Sequence, residues 1–218
     1  MTEMQRAAAR RVQAVDRITD RPTQRRSSES PQSRAWVSAP TVVQLRADAG
    51  TDILQFSGVA SATERGYEMH DAFGVYTETI SAGAFDDTLR ADDLDVPLVL
   101  GHDQLRRIAR TTNGSLHLSA TDDGLLVEAD LDPADEDVRY IAPKLRAGLI
   151  DEMSFAFRID AGSWSPDFTE YRIEKVDIHR GDVSIVGWGA NPHTVGNLLA
   201  APKKSVRAAA LLDLAIHR

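Results

Sequence analysis

The chain contains no cysteine, which removes disulfide frameworks, thiolate metal sites and a cysteine nucleophile together and permits a reducing compartment. No apolar run approaches the about 20 residues of a membrane-spanning helix, so no membrane partner is expected. The opening MTEMQRAAARRVQAVDRITD lacks the apolar stretch of a secretory signal. Its arginines resemble those of an organelle transit peptide, but Glu3, Asp16 and Asp20 speak against one. Glycine-rich phosphate loops are missing: neither GxGxxG nor GxxxxGK followed by Ser or Thr occurs. The six histidines (His70, His102, His117, His179, His193 and His217) are scattered, with no pair at the three- or four-residue spacing that sets two ligands on one helix face. No metal and no cofactor is expected.

What is present is 218 residues with 42% hydrophobic content, enough for the core of one domain with extensions. The net charge of −8 hides an asymmetry: residues 1–38 carry eight Arg against four acids, a local +4, which leaves −12 on the remainder. A basic arm on an acidic body reads either as a tail that touches an acidic surface or as a merely solvated end. The acidic body offers no basic groove with interleaved aromatics, so no specific nucleic-acid partner is expected. Three regions follow: residues 1–40, a basic and partly helical arm with a flexible linker (RPTQRRSSESPQSR); residues 41–200, the folded domain; and residues 201–218, an amphipathic tail.

Helical spacing of Met4, Ala7, Ala8, Val12, Val15 and Ile18 predicts a helix over 3–19. ILQFSGVAS (53–61), GVYTETI (74–80) and PLVLGH (97–102) read as strands. SAGAFDDTLR (81–90) reads as a helix capped by Ser81. SLHLSATDDGLLVEADLD reads as a hairpin turning at Asp122-Asp123-Gly124. Residues 134–150 read as a helix that Pro143 kinks or divides. Three strands follow, EMSFAFRI, EYRIEKVDI and DVSIVGW, and the tail SVRAAALLDLAIHR has the spacing of a short helix. Many strands with few helices and no regular alternation predict an α+β fold: a mostly antiparallel or mixed β-barrel with peripheral helices.

Nucleophilic catalysis by serine needs a hydroxyl, a neutral imidazole to take its proton, and a carboxylate to orient the ring. Strand alternation in PLVLGHD places His102 with Leu98 and Leu100, at the end of an apolar face that keeps a ring neutral. In EMSFAFR the bulky Met153, Phe155 and Phe157 share one face. Ser154 and Ala156 share the other, which leaves room for a substrate carbonyl. In GDVSIVGW, Asp182 shares a face with Ser184 and Val186. On spacing alone Asp103, Asp151, Glu152 and Asp177 compete with Asp182 for the acidic role.

FSGVAS, ETISAGAF with TL close behind, LVLGHD, DGLLVEADL, RAGLIDEMSFAF and DVSIVGWGANP follow one another in order between about residues 53 and 196. Together they resemble the prohead (procapsid maturation) proteases of tailed bacteriophages, related in fold to the herpesvirus assemblins. The resemblance implies an assemblin-like fold and a serine endopeptidase of the procapsid interior. Such an enzyme cleaves the scaffolding segment of the major capsid protein and often itself, as a possible homodimer. It assigns the histidine to His102, the serine to Ser154 and the acid before Val-Ser to Asp182. It also implies an oxyanion site of an arginine and backbone amides, with Arg107, Arg110 and Arg158 the nearby candidates. Where the family pattern has glycines around the serine this chain has Glu152 and Ala156, and Asp182 stands for the usual glutamate, which bears on how firmly His102 is held. Those departures motivate the alternative of a catalytically weak protease-fold scaffold or assembly factor.

Overall fold

The computed structural model describes residues 1–14, 35–40, 44–47, 53–121 and 124–187. The expected linker, the Asp122-Asp123 turn, the region from residue 188 and the expected C-terminal helix lie outside them. Among the described residues the chain is a β-rich α+β fold: helices α1 (Glu3–Gln13), α2 (Asp86–Leu89) and α3 (Glu136–Arg146) accompany eleven strands. In order these are β1 (Ala35–Pro40), β2 (Gln44–Ala47), β3 (Leu54–Ala62), β4 (Tyr67–His70), β5 (Val75–Ile80), β6 (Pro97–Leu100), β7 (Asp103–Arg110), β8 (Leu116–Thr121), β9 (Gly124–Leu131), β10 (Glu152–Trp164) and β11 (Glu170–Val186).

Local chemistry explains the helices. Thr2 and Gln5 exchange side-chain bonds with each other's backbone N–H at the start of α1, a reciprocal capping box. The Asp135 carboxylate accepts the amides of Asp137 and Val138 at the start of α3 (2.8 and 3.0 Å). The buried Val138, Ile141, Ala142 and Leu145 of α3 recur at helical spacing. Pro143 does not divide α3, which runs on past it to Arg146. It sits on the exposed face beside exposed Arg139, so the carbonyl that loses an amide partner faces water. The helix expected over 81–90 shortens to α2, and Ser81 does not cap it with its side chain. The Ser81 carbonyl accepts the Ala84 amide at 3.0 Å in a preceding turn, and that turn swings Phe85 into the core.

The strands form two sheets. In the smaller, β2, β3, β9 and β8 run antiparallel in that order. The larger follows β1-β10-β11-β5-β4, with β6 attached to another part of β11 and β7 paired to β6. The start of β11 pairs in parallel with β5, and its end (Val183–Ile185) pairs in parallel with Leu98–Leu100 of β6. Between those partners lies a bulge. Pairing with β10 passes from Ala156↔Asp182 to Arg158↔Asp177, so residues 178–181 of β11 face residue 157 alone. A Cβ on Gly181 would lie 2.0 Å from the Ala156 carbonyl oxygen, so only glycine fits this crossing. The two strands expected at 170–178 and 182–188 are thus the halves of one bent strand.

No closed barrel exists among the described residues, which corrects that expectation and leaves the assemblin-like architecture without support. The bent β11 hands its edge from β5 to β6, while the smaller sheet forms a ladder of its own and shares the core. Between the sheets, Phe56, Leu125 and Val127 meet a core that includes Phe85, Phe155 and Phe157. Phe155 stacks on Phe157 with centroids 4.3 Å apart, and Phe85 approaches Phe155 at 5.7 Å. Burying each such ring is worth about 1.5–3 kcal/mol. Two segments from the expected arm join this body: β1 pairs with β10, and α1 seats against β5.

Candidate active site

Strand β6 carries four consecutive buried residues and stops at Leu100. Gly101 (φ 61°) and His102 (φ 60°) then turn the chain into β7, with Leu100 paired to Asp103. Positive φ at both central residues is the signature of a tight primed hairpin turn, which glycine adopts freely and histidine at a cost of about 1–2 kcal/mol. His102 therefore lies in a turn and not on the strand face shared by Leu98 and Leu100. Two bonds to β11 fix the turn: Gly101 N–H to the Ile185 carbonyl (2.9 Å) and His102 N–H to Ser184 Oγ (2.8 Å).

Held in this way, His102 Nδ1 lies 2.7 Å from Asp182 Oδ1. Asp182 is 1% exposed and follows directly on the β11 bulge, which aims its side chain at the turn. The other carboxylate oxygen accepts Gln104 Nε2 at 2.6 Å. Two charge-assisted bonds compensate the desolvation of the carboxylate. A neutral ring donating Nδ1–H to Asp182 carries its lone pair on Nε2, the atom that can accept a proton. The aspartate reaches the ring despite being shorter than glutamate. Of its competitors, Asp103 accepts the Leu105 amide (2.9 Å), while Asp177 accepts the His179 amide (2.7 Å) and pairs with Arg158. Asp151 precedes β10, and Glu152 stands two residues before Ser154 on the same strand face.

Ser154 is set by register. It pairs with Ser184, and Ala156 pairs with Asp182, so Ser154 and Asp182 rise from the same face of the sheet on adjacent strands. Ser184 is the residue whose hydroxyl receives the His102 amide, which sets Ser154 next to the turn. Met153, Phe155 and Phe157 take the opposite face, in the core. The small face is also covered: Ser154 is 3% and Ala156 0% exposed, so the room expected beside Ser154 is not open.

The three arginines expected at an oxyanion site are engaged elsewhere. Arg110 clamps Asp95 through two bonds of 2.6 Å, which hold the Asp95 carboxyl below the usual carboxylate range. Arg158 pairs with Asp177. Arg107 donates to the Gln104 carbonyl (2.8 Å) and to Gln104 Oε1 (3.1 Å), and so braces the amide that holds Asp182. Sequence reasoning missed Gln104 and Ser184. The face shared by Asp182 and Ser184 was a usable signal for the serine. Gln104 had none, because residues 104–106 loop out between the pairs Val99↔Arg107 and Leu100↔Asp103.

A cavity of about 340 Å³ lies on the smaller sheet, lined by Gln55, Phe56, Ser57, His117, Glu128, Ala129 and Asp130, and none of His102, Ser154 or Asp182 borders it. No helix among the described residues is long and apolar enough to cross a membrane.

A buried carboxylate bonded to an imidazole and a serine on the same sheet face bring together the residue types that nucleophilic catalysis by serine uses. The family described as caudovirus prohead serine protease matches residues 42–206, three quarters of the chain, and the chain belongs to that family. It is thereby a serine protease of phage capsid maturation, a hydrolase whose family works inside the procapsid. Neither the curated proteins nor the solved structures contain a match.

Proposed function

We propose that this protein is an endopeptidase that cleaves the scaffolding segment of the major capsid protein inside the immature capsid, and cleaves itself, with Ser154 as nucleophile, His102 as general base and Asp182 as orienting carboxylate. The observation that carries the reading is the 2.7 Å bond between His102 Nδ1 and Asp182 Oδ1, made on the sheet face from which Ser154 rises. A positive φ at a non-glycine residue costs free energy, and such outliers concentrate at working sites.

In this mechanism Ser154 Oγ attacks the scissile carbonyl carbon while His102 Nε2 takes the hydroxyl proton. The resulting imidazolium is stabilised by Asp182, which remains ionised. The same proton passes to the leaving amine as the C–N bond breaks, leaving an ester on Ser154. Water, deprotonated by His102, then hydrolyses the ester. Gln104 fixes the second oxygen of Asp182 so that its first oxygen stays on the ring.

The test is intact-mass measurement of wild type and Ser154→Ala, each expressed alone and with the cognate capsid protein. Wild type is expected to shorten its partner and to lose terminal segments of its own, and Ser154→Ala to do neither, with cleavage falling on the order of 10³-fold or more. Equal processing by both removes Ser154 from the nucleophile's role. Full mass for both in every preparation supports instead the scaffold reading.

A further inference from the structure

α1 belongs to none of the residues matched by the family, yet it is docked by an unusually complete set of contacts. Arg11 is 0% exposed. Its Nε and Nη2 donate to the two oxygens of Asp71 (2.9 and 2.8 Å), Nη2 also donates to the Gly74 carbonyl (2.9 Å), and Nη1 donates to the carbonyls of Val75 (3.2 Å) and Phe168 (3.1 Å). These bonds use all five N–H donors of a guanidinium. The rings of Tyr76 and Trp164 face its carbon at 5.2 and 4.9 Å. The buried indole N–H of Trp164 has no hydrogen-bond partner among the described residues, so that ring meets Arg11 through its face.

The receptor has supports of its own. Asp71 Oδ1 accepts the amides of Phe73 (2.8 Å) and Gly74 (3.0 Å), and the Asp71 amide donates to the Gly74 carbonyl (3.0 Å). Phe168 holds a left-handed φ of 55°, which turns its carbonyl toward the guanidinium. A Cβ on Gly74 would meet the Ala7 methyl at 2.9 Å, so glycine lets the helix approach. The helix supplies little else: its buried residues are Ala7, Ala8 and Arg11, while Val12 of the expected apolar stripe is 49% exposed.

We propose that Asp71, Gly74, Val75, Tyr76, Trp164 and Phe168 form a guanidinium-recognition site for an arginine-bearing helix, that α1 is its detachable ligand, and that a second copy of this chain seats its own α1 there by exchange. The ligand and receptor are separable in sequence, since the receptor lies wholly within residues 42–206 and α1 wholly outside them. Residues 15–34 join α1 to β1, a contour of at most about 70 Å, long enough to reach a neighbouring copy. A tether of that kind gives an effective concentration on the order of millimolar. The chain's own arm therefore holds the site in dilute solution, and copies crowded to that level exchange arms.

The experiment uses a fluorescent peptide of residues 1–14 and the full chain carrying Arg11→Ala, whose own arm no longer fills the site. The peptide is expected to bind this chain at least tenfold more tightly than it binds wild type. Adding Asp71→Asn to the chain, or placing Arg11→Lys in the peptide, is expected to weaken binding at least tenfold, because lysine lacks the planar fork. A folded Arg11→Ala chain that ignores the peptide at millimolar concentration overturns the proposal, as does equal binding of a peptide carrying Arg11→Ala. If Arg11→Ala does not fold, isotope-labelled wild type titrated with unlabelled peptide decides. Displacement of the labelled α1 amides to free positions supports exchange, and unchanged α1 resonances at millimolar peptide overturn it.

Discussion

Two buried aspartates each receive a nitrogen side chain from far along the chain, and the two pairs differ in what they leave accessible. Asp71 and Arg11, 60 residues apart, form a closed unit in which every guanidinium proton is bonded and the side chain is 0% exposed. Asp182 and His102, 80 residues apart, form a pair whose ring retains 16% of its surface. An arginine never gives up its proton in a protein, so a saturated Arg–Asp pair binds or releases without transferring one. An imidazole changes charge near neutrality, so a pair that keeps the ring within reach of solvent can also transfer a proton. Burial of the carboxylate is common to both. The docking and catalytic roles proposed for them are separated by the identity of the partner and by the exposure left to it.

Exchanging charge for isostere at each aspartate is the strongest way to break this contrast. Asp182→Asn is expected to lower kcat by about 10⁴-fold with the fold intact, because an amide presents a donor where the ring needs an acceptor. Peptide cleavage and circular dichroism, measured together, check both halves. Asp71→Asn is expected to do the reverse. Breaking a buried pair costs about 3–5 kcal/mol when the partner stays buried, so α1 is released and its amides exchange freely in hydrogen-exchange mass spectrometry. Cleavage by the distant site is expected to change by no more than about twofold. A large loss of activity in Asp71→Asn would show the two pairs to be coupled.

Gln104→Leu sharpens the comparison by making the Asp182 pair less complete. Losing a hydrogen bond to a charged group is worth about 1.5–3 kcal/mol, an expected loss of about 10- to 100-fold in kcat/KM. A peptide-cleavage assay on the folded variant checks this, and an unchanged rate would show that the Gln104 bond to Asp182 does not support the pair.

The smallest effect belongs to a pair that is neither saturated nor buried. Arg110 holds the Asp95 carboxyl below its usual range, with side chains 40% and 21% exposed. A depressed carboxylate pKa adds stability above the unfolded value of about 3.9, and that contribution is lost as pH falls through the lower folded value. Arg110→Ala should therefore reduce stability only slightly at pH 7, because solvent screens the pair, and the difference from wild type should fade as pH falls from about 4 through the lowered Asp95 value. An undiminished difference there would show that Arg110 works through packing.

Much of the site was legible before any coordinates. Ser154 stands among alternating Met153, Phe155 and Phe157, and that period of two assigned its face correctly. Asp182 and Ser184 share a face by the same rule. The rule failed at His102, where strand alternation was carried one residue past the end of β6 into a turn with φ of 60°. It also failed at the expected barrel, because periodicity describes one strand and carries no information about which edges meet. The apolar stripe read into α1 overlooked Arg11, since an arginine enters a core only when distant carbonyls and a carboxylate are waiting for it.

The sequence by itself determined the strand faces, the existence of α1 and α3, the residue types able to do acyl transfer, and the family. These depend on neighbours within a few residues, where chain connectivity already constrains geometry. Tertiary structure alone decided that Asp182 is the carboxylate bonded to His102, that Gln104 holds its other oxygen, that Ser154 pairs with Ser184, and that Arg11 is a buried anchor. Each of those depends on contacts between residues far apart in the chain, and such contacts exist only once the bulge in β11 and the turn after β6 have brought separate strands together.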